Sequence, residues 1–341
     1  MDKLAKSRIL EMNRFLEMGP AQIQPSMYWK ELNKIDIDEL EKFGFDNFKR
    51  NIVRHYFTGI SKHPIDMQIV FLLKHTNLTR IVYFALKSFF MPKHRFIGFI
   101  ESINYNFRTL LTWEYAKKND KDNYLNILRE PLIGNPPRVK YKKRMISMDL
   151  ANSLLEYYSI KDYISRDSKK WICELGPGYG RNTYIFLKLE KNVRYILVDI
   201  SPALYISERY LSEVFPDKKI FRFRNFTSYK EIQEEFESSD VCFILPSQLQ
   251  YLPDDMIDLF INISSFHEMR LEQIRYYFEE ISRVLKKDGL LYLKQWKNAF
   301  IPFENVRINQ EDYPIDSYEK IYMRKAKIQT KFFEALLKNK K

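Results

Sequence analysis

The segment Trp171-Ile-Cys-Glu174-Leu-Gly176-Pro-Gly178-Tyr-Gly180-Arg181 constrains this chain most, because it reads as a buried strand running into a glycine-spaced turn and then a helix. Glycine at alternate positions lets the backbone turn tightly and brings its N–H groups close to a ligand, where a Cβ would intrude. A second apolar run, Tyr195-Ile-Leu-Val, closes on Asp199. An acid at the end of a neighbouring parallel strand is placed to accept hydrogen bonds from ribose hydroxyls. The two features together predict an α/β nucleotide-type site.

The rest of the C-terminal half keeps the same alternation. β-like runs at 171–175, 195–198, 241–245, 257–263 and 290–296 are separated by helical segments, which predicts a parallel sheet with helices on both faces. Ser201 and Pro202 predict a capped, preorganised helix start after the second run. Leu271, Ile274, Phe278, Ile281 and Leu285 recur at intervals of three and four, and Lys286-Lys287-Asp288-Gly289 is expected to end that helix before the fifth run.

From residue 1 to about 165 the pattern is helical and irregular, with little strand signal. Ile69, Leu72 and Leu73, then Ile81, Phe84, Ala85 and Phe89, predict core-facing helix stripes ending near Met91-Pro92, although a groove for an apolar lipid tail would use the same residues. Pro131, Gly134, Pro136 and Pro137 mark a break, and 147–158 reads as a helix leading into the second half. The chain therefore divides into a mainly helical region over 1–164 and an α/β domain over 165–341.

Fifty-six Lys plus Arg against 44 Asp plus Glu leave a charge of +12, which favours anionic surfaces or marks a Lys-rich soluble protein. The densest basic run spans Arg138 to Arg144 and could grip a phosphate or form a solvated face. Both cysteines, Cys173 and Cys242, fall in expected strands as small core hydrophobes. With no disulfide framework, and no apolar stretch near Met1 of the kind a secretory signal needs, a reducing, cytoplasmic compartment is expected. The longest apolar stretches fall short of a membrane span, leaving only peripheral membrane contact open. His55, His63, His75 and His94 lack metal spacing and read as surface or helix residues; Asp254, Asp255 and Asp258 could bind a divalent ion, though a solvated turn before the fourth run accounts equally for the first two, and no metal is assigned.

Glu174 two residues before the first glycine, the spacing of Gly176, Gly178 and Gly180, Asp199 after the second strand and a helix-KKDG-strand close form a set that resembles the class I S-adenosylmethionine-dependent methyltransferases. Longer strings are similar to the sugar O-methyltransferase family: Asp258 to Met269, Phe243 to Gln248, Val198 to Pro202, Gly134-Asn135-Pro136, Ser147 to Asn152 and Gln329 to Glu334. The resemblance runs from about residue 130 to the end of the sequence. Pro177 and Arg181 stand where smaller loop residues are the pattern.

The resemblance implies a Rossmann-like sheet and S-adenosyl-L-methionine as cofactor, held by Gly176, Gly178, Gly180 and Asp199. Glu174 would bind the cofactor's amino group or order the glycine loop. Ser247 and Gln248 would lie near the adenine, and Ser264 beside the cofactor or as a backbone cap. The implied acceptor is a sugar hydroxyl of a glycan, glycolipid precursor or nucleotide sugar, as in polysaccharide biosynthesis.

A neutral hydroxyl is a poor nucleophile and needs a base or a metal. His267 is the first candidate base, since imidazole titrates near neutrality, and Glu268 the second; capping the following helix or bonding to the cofactor loop is the rival role for both. An RNA or small-molecule methyltransferase is the alternative enzyme, suggested by the charge and the aromatic, basic N-terminal half. No RNA-binding module supports a stable nucleic-acid partner. A non-catalytic, methyltransferase-like binding protein is the alternative from another class.

Overall fold

A computed structural model describes residues 3–52, 66–165, 167–301 and 305–341. Helices span Lys3–Glu17, Met27–Phe43, Met67–Lys74, Leu78–Phe90, Phe99–Asn119 and Met148–Ile160. Four of them start on a side chain that accepts first-turn N–H groups: Ser26, Asp66, Asn77 and Ser147. The anticipated core stripes hold in part. Ile69, Leu72 and Phe84 are buried, but Ala85 and Phe89 face outward. Helix Leu78–Phe90 packs on Phe99–Asn119 through Phe84 and Ser88. A three-and-four period marks a stripe without saying which of two stripes a neighbour covers.

The basic run is neither a loop nor a helix. It forms a hairpin of β1 (Val139–Tyr141) and β2 (Arg144–Ile146), turning at Lys142 and Lys143 with φ of 47° and 65°. Arg144 turns inward, donating to the carbonyl oxygens of Leu125 and Leu128 and lying 4.8 Å from the Trp113 ring centre. His94 is also interior, bonded through Nε2 to Asn106 Oδ1 at 2.8 Å, whereas His75 is exposed. His55 and His63 lie outside the described residues.

The second half contributes β3 (Lys170–Leu175), β4 (Val193–Val198), β5 (Ile220–Phe221), β6 (Val241–Ile244), β7 (Ile257–Ile263), β8 (Leu285–Trp296), β9 (Asn298–Ile301), β10 (Val306–Asn309), β11 (Tyr318–Lys325) and β12 (Phe332–Asn339). Eight of these form one sheet in the order β11-β12-β8-β7-β3-β4-β6-β5, while β9 and β10 pair separately. From β5 to β8 the pairs are parallel, and β12 runs antiparallel to both β8 and β11. The five runs read from the sequence are β3, β4, β6, β7 and β8. The parallel sheet anticipated there is thus mixed, extended by a short edge strand and a C-terminal hairpin.

Central strands are buried on both faces, which is why they read as continuous apolar runs. Neighbouring residues part company: Ile172, Tyr195 and Leu259 join one apolar cluster, Cys173, Ile196 and Phe260 the other. The first cluster also takes in Ile9, Leu40, Phe84 and Leu154, so the N-terminal helices complete one face of the sheet. Helix Leu271–Val284 lies on the opposite face through Ile274, Phe278 and Ile281.

Two local expectations change. Strand β8 begins at Leu285, and the Lys286-to-Gly289 stretch lies within it, with Asp288 at φ 61° beside a register shift between Ile257 and Leu259. Ser201 caps nothing: among the described residues its Oγ has no hydrogen-bond partner, and helix Ala203–Val214 starts without a side-chain cap.

Candidate active site

After β3 the chain turns through three left-handed glycines, each for its own reason. A Cβ on Gly176 (φ +72°) would sit 2.6 Å from Ser265 Cβ, and one on Gly180 (φ +86°) 2.8 Å from Leu211 Cδ1. These two let the loop and the following helix, Arg181–Leu189, pack closely. A Cβ on Gly178 (φ +59°) would meet nothing within 4 Å, because that residue borders a cavity of about 530 Å³. Such a volume falls in the range of roughly 300–1,000 Å³ that small-molecule sites occupy.

Asp199 ends β4 at the cavity wall. Its Oδ2 accepts from the Gly178 N–H at 3.0 Å and its Oδ1 from the Ile200 N–H at 2.8 Å. Burial pushes this carboxyl up to about 7, against the pull of those two N–H groups. A carboxylate has about four lone-pair directions, so two stay open to hydroxyl donors.

Across the cavity stand residues from three other stretches. Ser26, Tyr28 and Trp29 come from the start of helix Met27–Phe43, Asp149 and Asn152 from Met148–Ile160, and Trp296, Gln329 and Phe332 from the C-terminal strands and their connection. The N-terminal stretch is tied down: Ser26 Oγ donates to the Glu268 carbonyl at 3.2 Å, and Gln273 Nε2 donates to Gln24 O at 2.8 Å. Tyr179 OH donates to Asp149 Oδ2 at 2.6 Å, which joins the glycine loop to helix Met148–Ile160. Beneath it Glu156 accepts from Arg181 at 2.6 Å and Lys294 at 2.8 Å. Burial raises the Glu156 carboxyl, but the two cations outweigh it and hold it at about 2. Arg181, out of pattern in the loop, is therefore a brace.

A chain of amides fixes the His267 tautomer. Asn262 Nδ2 donates to Leu175 O at 3.0 Å, so its Oδ1 faces Gln295 Nε2, which donates to it and to Asn262 O. Gln295 Oε1 is thereby turned toward His267 Nδ1, 3.0 Å away. Nδ1 must carry the proton, and Nε2 keeps its lone pair. Burial holds the imidazole down at about 4, against the Gln295 bond, so His267 does not titrate near neutrality as expected: it is available as an unprotonated but weakened base. His267 Nε2 is 3.8 Å from Glu268 Oε1, too far for a hydrogen bond, while buried Glu268 Oε2 has no partner among the described residues. Burial, then the Asp199 charge, pushes Glu268 up to about 8. Near neutrality the site holds an unprotonated imidazole beside a largely protonated carboxyl.

Of the residues singled out from the sequence, Gly176, Gly178, Asp199, Ser264, His267 and Glu268 line this one cavity. The other four are placed away from its wall. Glu174 is buried away from the cavity wall, accepting from Asn182 Nδ2 at 3.1 Å and Tyr195 OH at 2.6 Å. Gly180 faces Leu211. Gln248 accepts from Leu245 N–H and donates to Arg224 O, both at 2.9 Å, holding the turn after β6. Ser247 is buried, its Oγ without a hydrogen-bond partner among the described residues, and it is Pro246 that reaches the cavity. Asp258 accepts from Trp171 N–H and Lys286, and Asp254 pairs with Arg283. Among the described residues no three His, Cys, Asp or Glu gather as a metal ion would need.

Sequence reasoning missed Trp29, Asp149, Trp296 and Gln329 as cavity residues. Only Asp149 and Gln329 had a signal, lying inside strings that carried the resemblance. The cavity wall is acidic in a basic protein: Asp36, Asp66, Asp149, Asp199 and Glu268 against Arg181 and Lys331. Arg181 is paired with Glu156, which Lys294 shares, Asp66 is paired with Arg108 at 3.0 Å, and burial leaves Glu268 largely protonated near neutrality, so Asp149, Asp199 and Asp36 are the wall acids left to meet a cation. A cationic sulfonium carrying an ammonium group fits this charge, and the open backbone at Gly178 fits a ligand lying against it.

Residues 173–293 match the sequence-family model described as "Methyltransferase domain". That match and the strand-glycine-acid geometry define an S-adenosylmethionine-dependent methyltransferase with a Rossmann-like fold and a mixed central sheet. No curated protein matches the chain. Among solved structures, the PH0226 protein from Pyrococcus horikoshii OT3 aligns at 16% identity over 55% of this chain and 86% of that one, with a TM-score of 0.37. A 1,6-didemethyltoxoflavin-N1-methyltransferase from Burkholderia thailandensis, with S-adenosylhomocysteine bound, aligns at 11% identity over 57% and 79%, with a TM-score of 0.39. Geranyl diphosphate C-methyltransferase from Streptomyces coelicolor A3(2) aligns at 11% over 54% and 74%, with a TM-score of 0.37. At such scores these likenesses decide nothing about the acceptor.

Proposed function

We propose that this methyltransferase acts on a neutral sugar hydroxyl of a glycan or glycolipid precursor, with His267 as general base. The observation that carries the reading is the tautomer lock: the Gln295 relay leaves the His267 Nε2 lone pair on the wall of the same cavity as Gly178 and Asp199. When bound, S-adenosylmethionine supplies an electrophilic methyl group. Asp199 would accept hydrogen bonds from its ribose hydroxyls, and the Gly178 backbone would lie against its amino-acid end. His267 Nε2 would take the acceptor's hydroxyl proton as the oxygen attacks, and Glu268, protonated near neutrality, would orient that oxygen by donating to it.

Trp29 and Trp296 offer apolar ring surface for a pyranose ring, and Gln329 Oε1, without a hydrogen-bond partner among the described residues, is an acceptor for a ring hydroxyl. The described wall carries no cluster of free cations, since Arg181 is paired with Glu156 and only Lys331 stands beside it, which counts against a polyanionic acceptor such as RNA. Methyl-labelled S-adenosylmethionine should therefore label extracted glycans or glycolipids and leave total RNA unlabelled. Counts confined to RNA would overturn the sugar acceptor while leaving the donor site intact.

A further inference from the structure

We propose that the outer face of helix Leu78–Phe90, continued by the first turn of Phe99–Asn119, docks on an anionic lipid bilayer. At 100° per residue, Leu78, Val82, Tyr83, Leu86, Phe89 and Phe90 occupy about 140° of the helix circumference. Each is 49–79% exposed. Phe99 and Ile100 extend the surface, also exposed, and the patch is continuous: the Phe89 ring lies 5.4 Å from Phe90 and 6.3 Å from Phe99. A contiguous apolar patch of this kind on a folded protein marks a contact surface.

Its charge selects the occupant. From Met67 to Ile100 there is no Asp or Glu, while Lys74, Arg80, Lys87, Lys93 and Arg95 are present; the first turn of Phe99–Asn119 adds one acid, Glu101, which accepts from the Gly98 N–H. Lys93 sits at the junction of the two helices, its Nζ 4.9 Å from the Phe99 ring centre and 5.5 Å from that of Phe89, with donor bonds to Phe89 O and Met91 O. Lys87 Nζ lies 5.9 Å from the Tyr83 ring centre. Arg80 is partly spent on Glu114, at 3.2 Å. Aromatic and aliphatic side chains with cations around them are what an interfacial helix presents to a negatively charged membrane. A second copy of the same face would bring like charges together, whereas anionic headgroups neutralise them. No described helix is long and apolar enough to cross the membrane, so the contact is peripheral. The same region lends Met67 and Gln68 to the cavity wall.

The test is co-sedimentation of the full chain with vesicles of phosphatidylcholine plus phosphatidylglycerol and with phosphatidylcholine alone. Binding to the mixed vesicles is expected, weakened by high salt and at least about tenfold weaker in the double variant Leu86→Glu, Phe90→Glu. Both side chains are exposed, so the variant should fold, and unchanged S-adenosylmethionine affinity by calorimetry reports that it has. Failure to sediment with the mixed vesicles, or equal binding by the variant, would overturn the proposal. So would self-association abolished by the same two substitutions in a protein that ignores vesicles. None of these outcomes touches the sugar acceptor, which is judged by label transfer.

Discussion

On the β3–β4 side of the cavity the ligand-facing groups are a backbone turn and one carboxylate held by it, Gly178 and Asp199, within a few residues of two strand ends. On the opposite side they are the side chains of Trp29, His267, Trp296 and Gln329, brought from stretches far apart in the chain. A turn tied to a sheet keeps its shape whatever the neighbouring sequence does. An assembled wall depends on how several segments pack, and can change its acceptor without disturbing the donor side. The two sides should therefore fail independently when mutated.

The largest separation is expected from Asp199→Ala. Removing both open lone pairs, which the proposed reading gives to the ribose, and the anchor for the Gly178 N–H should weaken S-adenosylmethionine binding by a hundredfold or more, about 2.7 kcal/mol. Calorimetry measures it directly, and Asp199→Asn should recover little, because the charge is lost. Near-native affinity in either variant would remove Asp199 from the donor side. His267→Ala should do the reverse, leaving donor affinity intact and lowering kcat about 10²–10⁴-fold. A kcat within a factor of three of the parent would make His267 a wall residue only.

Trp29→Ala is expected to act on the acceptor alone, raising its KM about tenfold with kcat and donor affinity near the parent values. Its side chain reaches the cavity from a helix start fixed by Ser26, so the substitution should leave the N-cap in place. A change confined to donor affinity would mean that the wall drawn as acceptor-facing belongs to the donor.

The same contrast explains what could be read from the sequence. Strands β3, β4, β6 and β7 are buried on both faces and announce themselves as apolar runs, and Gly178 and Asp199 follow from their position at strand ends. Glu174 has the right spacing but the wrong direction. In a strand, alternate residues face opposite sides, and this one points at Tyr195 and Asn182, which spacing to the glycines does not reveal. Ala85 and Phe89 were misplaced because amphipathicity does not name the partner. Trp29 and Trp296 carry no local mark, since their roles arise only when the chain folds back on itself.

The smallest predicted effect is on the pH dependence of stability without donor. Glu268, raised from 4.5 to about 8, and Asp199, raised from 3.8 to about 7, are protonated in the fold where the unfolded chain is ionised. Their contribution is full below about pH 4 and is lost as pH rises through 7 to 8. His267 has the opposite sign: its pKa is lowered to about 4, so it takes stability away only as pH falls below 6.5. From pH 6.5 to 8 the acids act without it, and Tm should fall. Glu268→Gln should flatten that slope by on the order of 1 kcal/mol per pH unit, softened by water in the cavity. A saturating cationic donor should flatten it too, by favouring the ionised carboxylates. Thermal scans of both proteins across this window decide the point: an unchanged slope in Glu268→Gln would show that its carboxyl is already solvated, and would leave Asp199 and Asp36, both raised by burial to about 7 on the same cavity wall, as the acids that titrate.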